Sequence, residues 1–228
     1  MKNKLLALLF LFGSITFGFS QELSYGLKAG VNYTLGGQIT GNNSNLPDRY
    51  TSDTFEGNGQ IGYHGGVFLQ VNFGKFFLRP EVVYTSIETE FEFPDDPSAF
   101  SVEKFDVPFL VGYNIYGPLD IFAGPIYSNI LNSTIEGDES GNPVVAQNSP
   151  INFQAGAKVE FGRFGIDVRY ERILSPAEPQ ELDLENHGII GGINRATFDD
   201  ARLHQVIVGV IFKLGGPGLN ERRRRACY

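Results

Sequence analysis

The stretch INFQAGAKVEFGRFGIDVRYERIL, residues 151–174, alternates apolar and polar residues twice over. Phe153, Ala155, Ala157, Val159 and Phe161 share one parity, and Asn152, Gln154, Gly156, Lys158 and Glu160 share the other. After Gly162-Arg163 the alternation restarts, with Phe164, Ile166, Val168 and Tyr170 set against Gly165, Asp167, Arg169 and Glu171. Successive side chains leave a pleated strand on opposite sides, so a period of two reads as strand. A two-residue break between two such runs reads as a hairpin. One parity is apolar and the other dense in charge, and the fold turns on which of them meets water.

The same pattern runs along the rest of the chain. Tyr25 to Tyr33, Tyr63 to Phe73, Leu78 to Thr85, Phe105 to Tyr113, Leu119 to Tyr127 and Val206 to Leu214 all alternate, which with the two runs above makes eight strands. Most are about as long as the 9–11 residues that cross a bilayer as β-structure, against about 5–6 in ordinary globular strands. Tight breaks at Gly74-Lys75, Asn114 to Pro118 and Gly162-Arg163 join strands 2–3, 4–5 and 6–7. Longer polar segments, about 35–60, 88–104, 132–150 and 175–202, make the other four connections. Short turns at one end and long loops at the other are the layout of outer-membrane barrels. The sequence thus predicts an all-β fold: an eight-stranded antiparallel up-and-down transmembrane barrel with short periplasmic turns and four long extracellular loops.

Charge follows the same division. The four loops carry −2, −5, −3 and −4, a total of −14, whereas the strands and turns between residues 21 and 220 carry +1. The apolar parity is therefore assigned to lipid and the polar parity to the lumen. An eight-stranded barrel is only wide enough for side chains to fill it. Lys28, Arg79, Glu81, Asp106, Lys158, Glu160, Asp167, Arg169, Glu171 and Lys213 are expected to pair there, because a desolvated charge left alone is costly. Tyr25, Tyr33, Tyr63, Tyr84, Tyr113, Tyr127 and Tyr170 lie on the apolar parity near strand ends. They suit the aromatic girdles at the lipid–water boundaries.

Residues 1–20 read as a cleaved signal peptide: Lys2 and Lys4, an apolar run from Leu5 to Phe12, then Gly18 and Ser20 before Gln21. The barrel domain is placed at 21–214. Residues 215–228, GGPGLNERRRRACY, with Arg222 to Arg225 in a row, form a basic tail expected to be disordered. The single cysteine, Cys227, excludes a disulfide framework within the chain.

No catalytic, cofactor or metal motif stands out. His64 is expected as a hydrogen-bonded lumen residue and His187 as a solvated loop residue. His204 falls on the lipid parity near the outer end of the last strand, which makes it the residue to watch for a bilayer-facing Ser/His lipid hydrolase. The acidic pairs Asp95-Asp96, Asp138-Glu139 and Asp199-Asp200 lack EF-hand spacing and read as solvated loop charge, with weak divalent-cation binding as the alternative. The acidic loops argue against nucleic acid as a partner.

Several segments resemble a known family in order and spacing. They are YGLKAGVNYT, FFLRPEVVYT, FDVPFLVGYNI, DIFAGPIY, FQAGAKVEFGRFGIDVRYER and HQVIVGVIFKL. Together they resemble the small outer-membrane β-barrel proteins of Bacteroidetes, the PorT-like outer membrane protein beta-barrel domain group. The resemblance implies an outer-membrane location and an eight-stranded barrel, with no defined activity. The basic tail departs from it, since such barrels commonly end at or just after the last strand.

The leading expectation is a non-enzymatic outer-membrane barrel, structural, adhesive or accessory to secretion. Its partners would be outer-membrane lipid and a protein met at the loops or in a secretion assembly. The alternative is a secreted soluble eight-stranded barrel binding a small apolar ligand, with the apolar parity inward and the charged parity outward.

Overall fold

The computed structural model describes residues 22–41, 54–93, 97–138, 144–183 and 195–217. The expected signal peptide, the Arg222–Arg225 run, His187 and Asp95-Asp96 lie outside the described residues.

Eight strands close into one barrel: β1 (Glu22–Leu35), β2 (Ile61–Phe73), β3 (Phe76–Phe91), β4 (Ser98–Tyr116), β5 (Leu119–Ile135), β6 (Ile151–Phe161), β7 (Phe164–Ile173) and β8 (His204–Gly215). Each is antiparallel to its sequence neighbours, and β1 closes the ring on β8 with Val31 opposite Val208 and Tyr33 opposite Val206. Three tight turns share one end. Gly74, Gly117 and Gly162 sit there with φ of 66°, 56° and 59°, a left-handed conformation that costs glycine little. In two of them the pairs Phe73–Phe76 and Phe161–Phe164 flank two-residue turns.

The pleat sorts the two parities. Leu27, Val31, Val67, Val82, Phe109, Val111, Ile121, Val168 and Val210 point outward and are exposed, while Lys28, Arg79, Glu81, Asp167 and Arg169 are buried. Outward-facing apolar strands around a charged interior are the reverse of a soluble barrel. That arrangement overturns the soluble-carrier alternative, which needs the apolar parity inside. Tyr25 to Tyr33, Phe76 to Tyr84 and Phe105 to Tyr113 each span eight residue steps on the outer face. At about 3.3 Å per residue and a tilt of about 40°, that is about 20 Å across the barrel wall, close to the apolar band of about 25 Å in such proteins.

The far end differs from the expected loops. The stretch 88–104 is mostly strand, with β3 running to Phe91 and β4 starting at Ser98. On these extensions the polarity inverts. Ser86, Glu88, Glu90, Ser101 and Glu103 now face out, while Ile87, Phe91, Phe100 and Val102 face in and are buried. The strands have left the lipid band, so the outer face is wetted and the inner face carries the apolar residues. The first and last long connections are not purely loop either. Gln38–Gly41, Thr54–Glu56, Gln180–Asp183 and Arg195–Asp200 pair into a second, four-stranded sheet. Ile39, Leu182, Ala196 and Phe198 from this sheet pack with Phe91, Phe93, Phe100 and Ile135 into one apolar core. Phe198 meets Phe100 edge-on at 4.8 Å and Phe91 at 5.7 Å.

Candidate functional site: an ionic lumen under an apolar cap

Each lumen charge is aimed inward by its parity on a strand, so the interior is assembled from residues two apart along single strands and opposite one another across pairs. Glu81 on β3 is the hub. Arg169 on β7 grips it with Nη1 at 2.8 Å and Nη2 at 2.9 Å. Arg79 Nε lies 2.7 Å from Oε1 and Lys28 Nζ 3.3 Å from Oε2. Asp167 shares Arg169 and lies 3.7 Å from Lys28. A planar guanidinium that binds a carboxylate through two parallel bonds is the strongest of these arrangements.

Two further clusters continue the network along the axis. Toward the loop end, Lys104 bridges Glu171 at 2.5 Å and Asp106 at 3.2 Å. Asp106 also accepts from Thr85 at 3.1 Å and Ser128 at 2.6 Å. Toward the turn end, Lys158 lies 3.0 Å from Asp120 and 2.9 Å from Glu160, and Lys213 lies 2.7 Å from Glu160. Gln70 Oε1 accepts from Lys158 at 3.0 Å. Aromatic faces line the remaining sides of the cations: Phe68 lies 3.9 Å from Arg79, Phe77 4.6 Å from Lys158 and Phe122 4.9 Å from Arg169. A cation over a desolvated ring gains about 2 kcal/mol or more.

Glycines let these side chains cross. A Cβ at Gly209 would stand 2.3 Å from Asp167 Oδ1, and one at Gly30 would stand 2.7 Å from His64 Cε1. Between the hub and the loop-end cluster the described residues enclose a cavity of about 20 Å³ bordered by Lys28, His64, Thr85, Gln154 and Arg169. That is room for about one water molecule, not a channel.

All ten expected lumen charges lie in this interior, and the structure brings them into three linked clusters. Two members were missed. Lys104 falls at the end of the expected loop 88–104, although it shares the parity of Asp106 two residues on. Asp120 sits directly opposite Lys158 in the β5–β6 register, a relation that only the pairing reveals. With these two the ion-paired network among the described residues holds six basic and six acidic side chains: Lys28, Arg79, Lys104, Lys158, Arg169 and Lys213 against Glu81, Asp106, Asp120, Glu160, Asp167 and Glu171.

The seven tyrosines sit on the outer face at two levels. Tyr25 and Tyr113 lie near the turns, and Tyr33, Tyr63, Tyr84, Tyr127 and Tyr170 lie toward the loops. Tyr63 and Tyr84 are 6.4 Å apart, and Phe105 continues the row 5.6 Å from Tyr84. Phenylalanines complete the turn-end level, with Phe76 5.0 Å from Tyr113 and Phe164 5.2 Å from Phe212. His64 is buried, its Nδ1 2.6 Å from Asn32 Oδ1. His204 is half-buried. Its Nδ1 accepts the amide N–H of Ile173 at 3.1 Å, which ties β8 to the end of β7. Asp200 is held by Arg202 through bonds of 2.8 and 2.6 Å.

A closed antiparallel barrel with an apolar belt, aromatic borders and a paired ionic interior defines a transmembrane β-barrel. A family profile for the outer membrane protein beta-barrel domain matches residues 19–177. The chain belongs to that family and is an outer-membrane β-barrel protein. No curated protein matches the chain.

Proposed function

We propose that this barrel is non-enzymatic and non-conducting, and that it acts by holding a structured surface outside the membrane, in an adhesive, structural or secretion-accessory role. The observation that carries this reading is the double closure of the interior, by the ionic network and by the apolar core around Phe198. Solute passage is blocked along the axis, so the part left to act is the loop end. The outer faces of the β3 and β4 extensions there carry Glu88, Glu90 and Glu103. On this reading residues 1–20 are a cleaved leader, both termini are periplasmic, and the nearest grouping is the PorT-like one of Bacteroidetes. Support for the leader comes from the Lys2, Lys4 and Leu5–Phe12 pattern, and support for the orientation from the contrast of short turns with long connections.

The test has two parts. In intact cells, a membrane-impermeant thiol reagent should label a cysteine placed at Thr134, on the outer face of the β5 extension, and spare one placed at Lys75. Cross-linking from position 134 should then capture a defined partner in detergent extracts of outer membrane. Labelling at 75 without labelling at 134 inverts the topology, and recovery in the soluble fraction without detergent ends the reading.

A further inference from the structure

The outer wall is not uniformly rugged. Where β5 and β6 pair, Ala123 stands opposite Ala155, and Ile121 stands opposite Ala157. On the β4 side, Val111 lies opposite Ala123 and Tyr113 opposite Ile121. On the β7 side, Tyr170 lies opposite Ala155 and Val168 opposite Ala157. Alanines flanked by larger side chains leave a depression, and the structure has an apolar groove of about 430 Å³ there, lined by Phe76, Val111, Tyr113, Ile121, Ala123 and Ala155. From within the wall, Gly112 keeps the groove's backing thin: a Cβ there would collide with the Phe77 ring that fills the lumen behind it.

The groove itself is apolar, and a charge stands just beyond its turn end, on a lysine that also borders the polar recess at the lumen mouth. Phe76 and Tyr113 pack together at its turn end, and Lys75 Nζ stands 5.9 Å from the centre of the Tyr113 ring. Lys75 sits in the β2–β3 turn and is exposed. It therefore lies at headgroup depth, directly beyond the aromatic level, while the alanine floor lies at acyl-chain depth. Inside a bilayer there is no water to expel from a groove, so preference for one lipid over its neighbours has to come from packing and charge. A recess touches a chain on three sides where a flat wall touches it on one, which multiplies the dispersion contacts. An ammonium at the rim adds attraction for a phosphate, worth about 1 kcal/mol for a lysine at a membrane surface.

We propose that this groove is a specific binding site for a glycerophospholipid of the leaflet at the turn end, with one acyl chain on Ala123 and Ala155 and the phosphate at Lys75. The inference rests on the membrane reading above. It is tested by native mass spectrometry of the folded full chain released from detergent micelles, titrated with dioleoylphosphatidylglycerol or with dioleoylglycerol, which lacks the phosphate. The unmutated protein should retain one phospholipid. The double variant Ala123→Phe/Ala155→Phe should weaken retention of both probes about tenfold or more by filling the floor. Lys75→Ala should weaken the phospholipid about fivefold and leave the glycerol probe unchanged. Val31→Phe, on a different face, should change neither, and retarded mobility of unheated samples on SDS gels shows that each variant has folded. Equal retention in the double-Phe variant overturns the site. Equal retention of the two probes by the unmutated protein removes the phosphate from it. Loss of a dimer instead of a lipid in the double-Phe variant assigns the groove to a second copy of the chain. A folded, detergent-dependent barrel that retains no lipid sinks the groove alone, whereas a protein monodisperse without detergent sinks the membrane reading beneath it.

Discussion

Glu81 and Glu160 each draw three cations, and Glu81 is the more deeply buried of the two, with Arg79, Lys28 and Arg169 converging on its two oxygens. It is about 1% exposed, so neither it nor its partners can turn to water when one is removed. Glu81→Ala leaves three buried cations to share Asp167 and Glu160, an uncompensated positive charge, and should lower stability by about 3–5 kcal/mol, read from urea unfolding of the refolded barrel in micelles. Adding Arg169→Met should recover part of that loss, since it takes away one stranded charge. A double variant whose loss equals the sum of the singles would show that the two do not share a network. The ten charges were legible because each sits on the polar parity of an alternating run, and inward aim follows from parity alone. Which charges meet was not legible. Glu81 and Arg169 are 88 positions apart, and only barrel closure and strand stagger bring them together.

The elements carry two codes in one strand. Below Tyr84 and Phe105 the apolar parity faces lipid, and beyond them the apolar parity is the opposite one and faces a core. Read as a single alternation, Ile87, Phe91, Phe100 and Val102 fall on the wrong side, which is why 88–104 looked like an acidic loop. The four-stranded sheet was hidden for a second reason, since its strands are three to six residues long and pair across segments far apart in the chain. Each code has its own test. Val168→Arg puts a charge on the lipid side of β7 and should cost about 2–4 kcal/mol near mid-membrane, whereas Gln154→Ala, on the lumen side of β6, should assemble normally. Phe198→Ala hollows the outer core and should cost about 3–5 kcal/mol there. Proteolysis should then cut the loop end faster while the barrel keeps its gel mobility. Acid should loosen the same end through Asp200. Partial burial pushes its carboxyl up, but hydrogen bonds from Arg202 outweigh this and hold it below its ordinary value. A depressed carboxyl stabilises above its unfolded-state value, and that contribution is lost as pH falls through the folded one. The difference in protease resistance between the unmutated chain and Asp200→Asn should be full at about pH 7 and shrink progressively as pH falls below the ordinary aspartate value of about 4.

On the reading proposed above, the described residues form a plugged cylinder, and conductance is the property that tests this. Six basic and six acidic side chains fill the barrel in three linked layers. A void among them, about 20 Å³, admits about one water. At the turn end the mouth opens into a polar recess of about 240 Å³ lined by Gln70, Asn72, Asp120, Glu160 and Lys213, but it stops at the Lys158 layer. At the loop end the described residues add the core around Phe91, Phe100 and Phe198, apolar side chains that an ion has no reason to enter and that on this reading close the axis a second time. An ion crossing would have to break paired charges and then cross that core, so reconstitution in planar bilayers should give no steady ohmic current. The two closures are in series, which makes the expectation sharper for variants. Glu81→Ala alone should stay silent, because the outer core still seals the path. Phe198→Ala alone should stay silent, because the ionic layers do. Only the two together should produce brief, small openings. Large, long-lived currents from the unmutated protein would mean that the lumen side chains stand against the wall and leave the axis open, and would end both the plugged interior and the proposal that this barrel works through its outer surface.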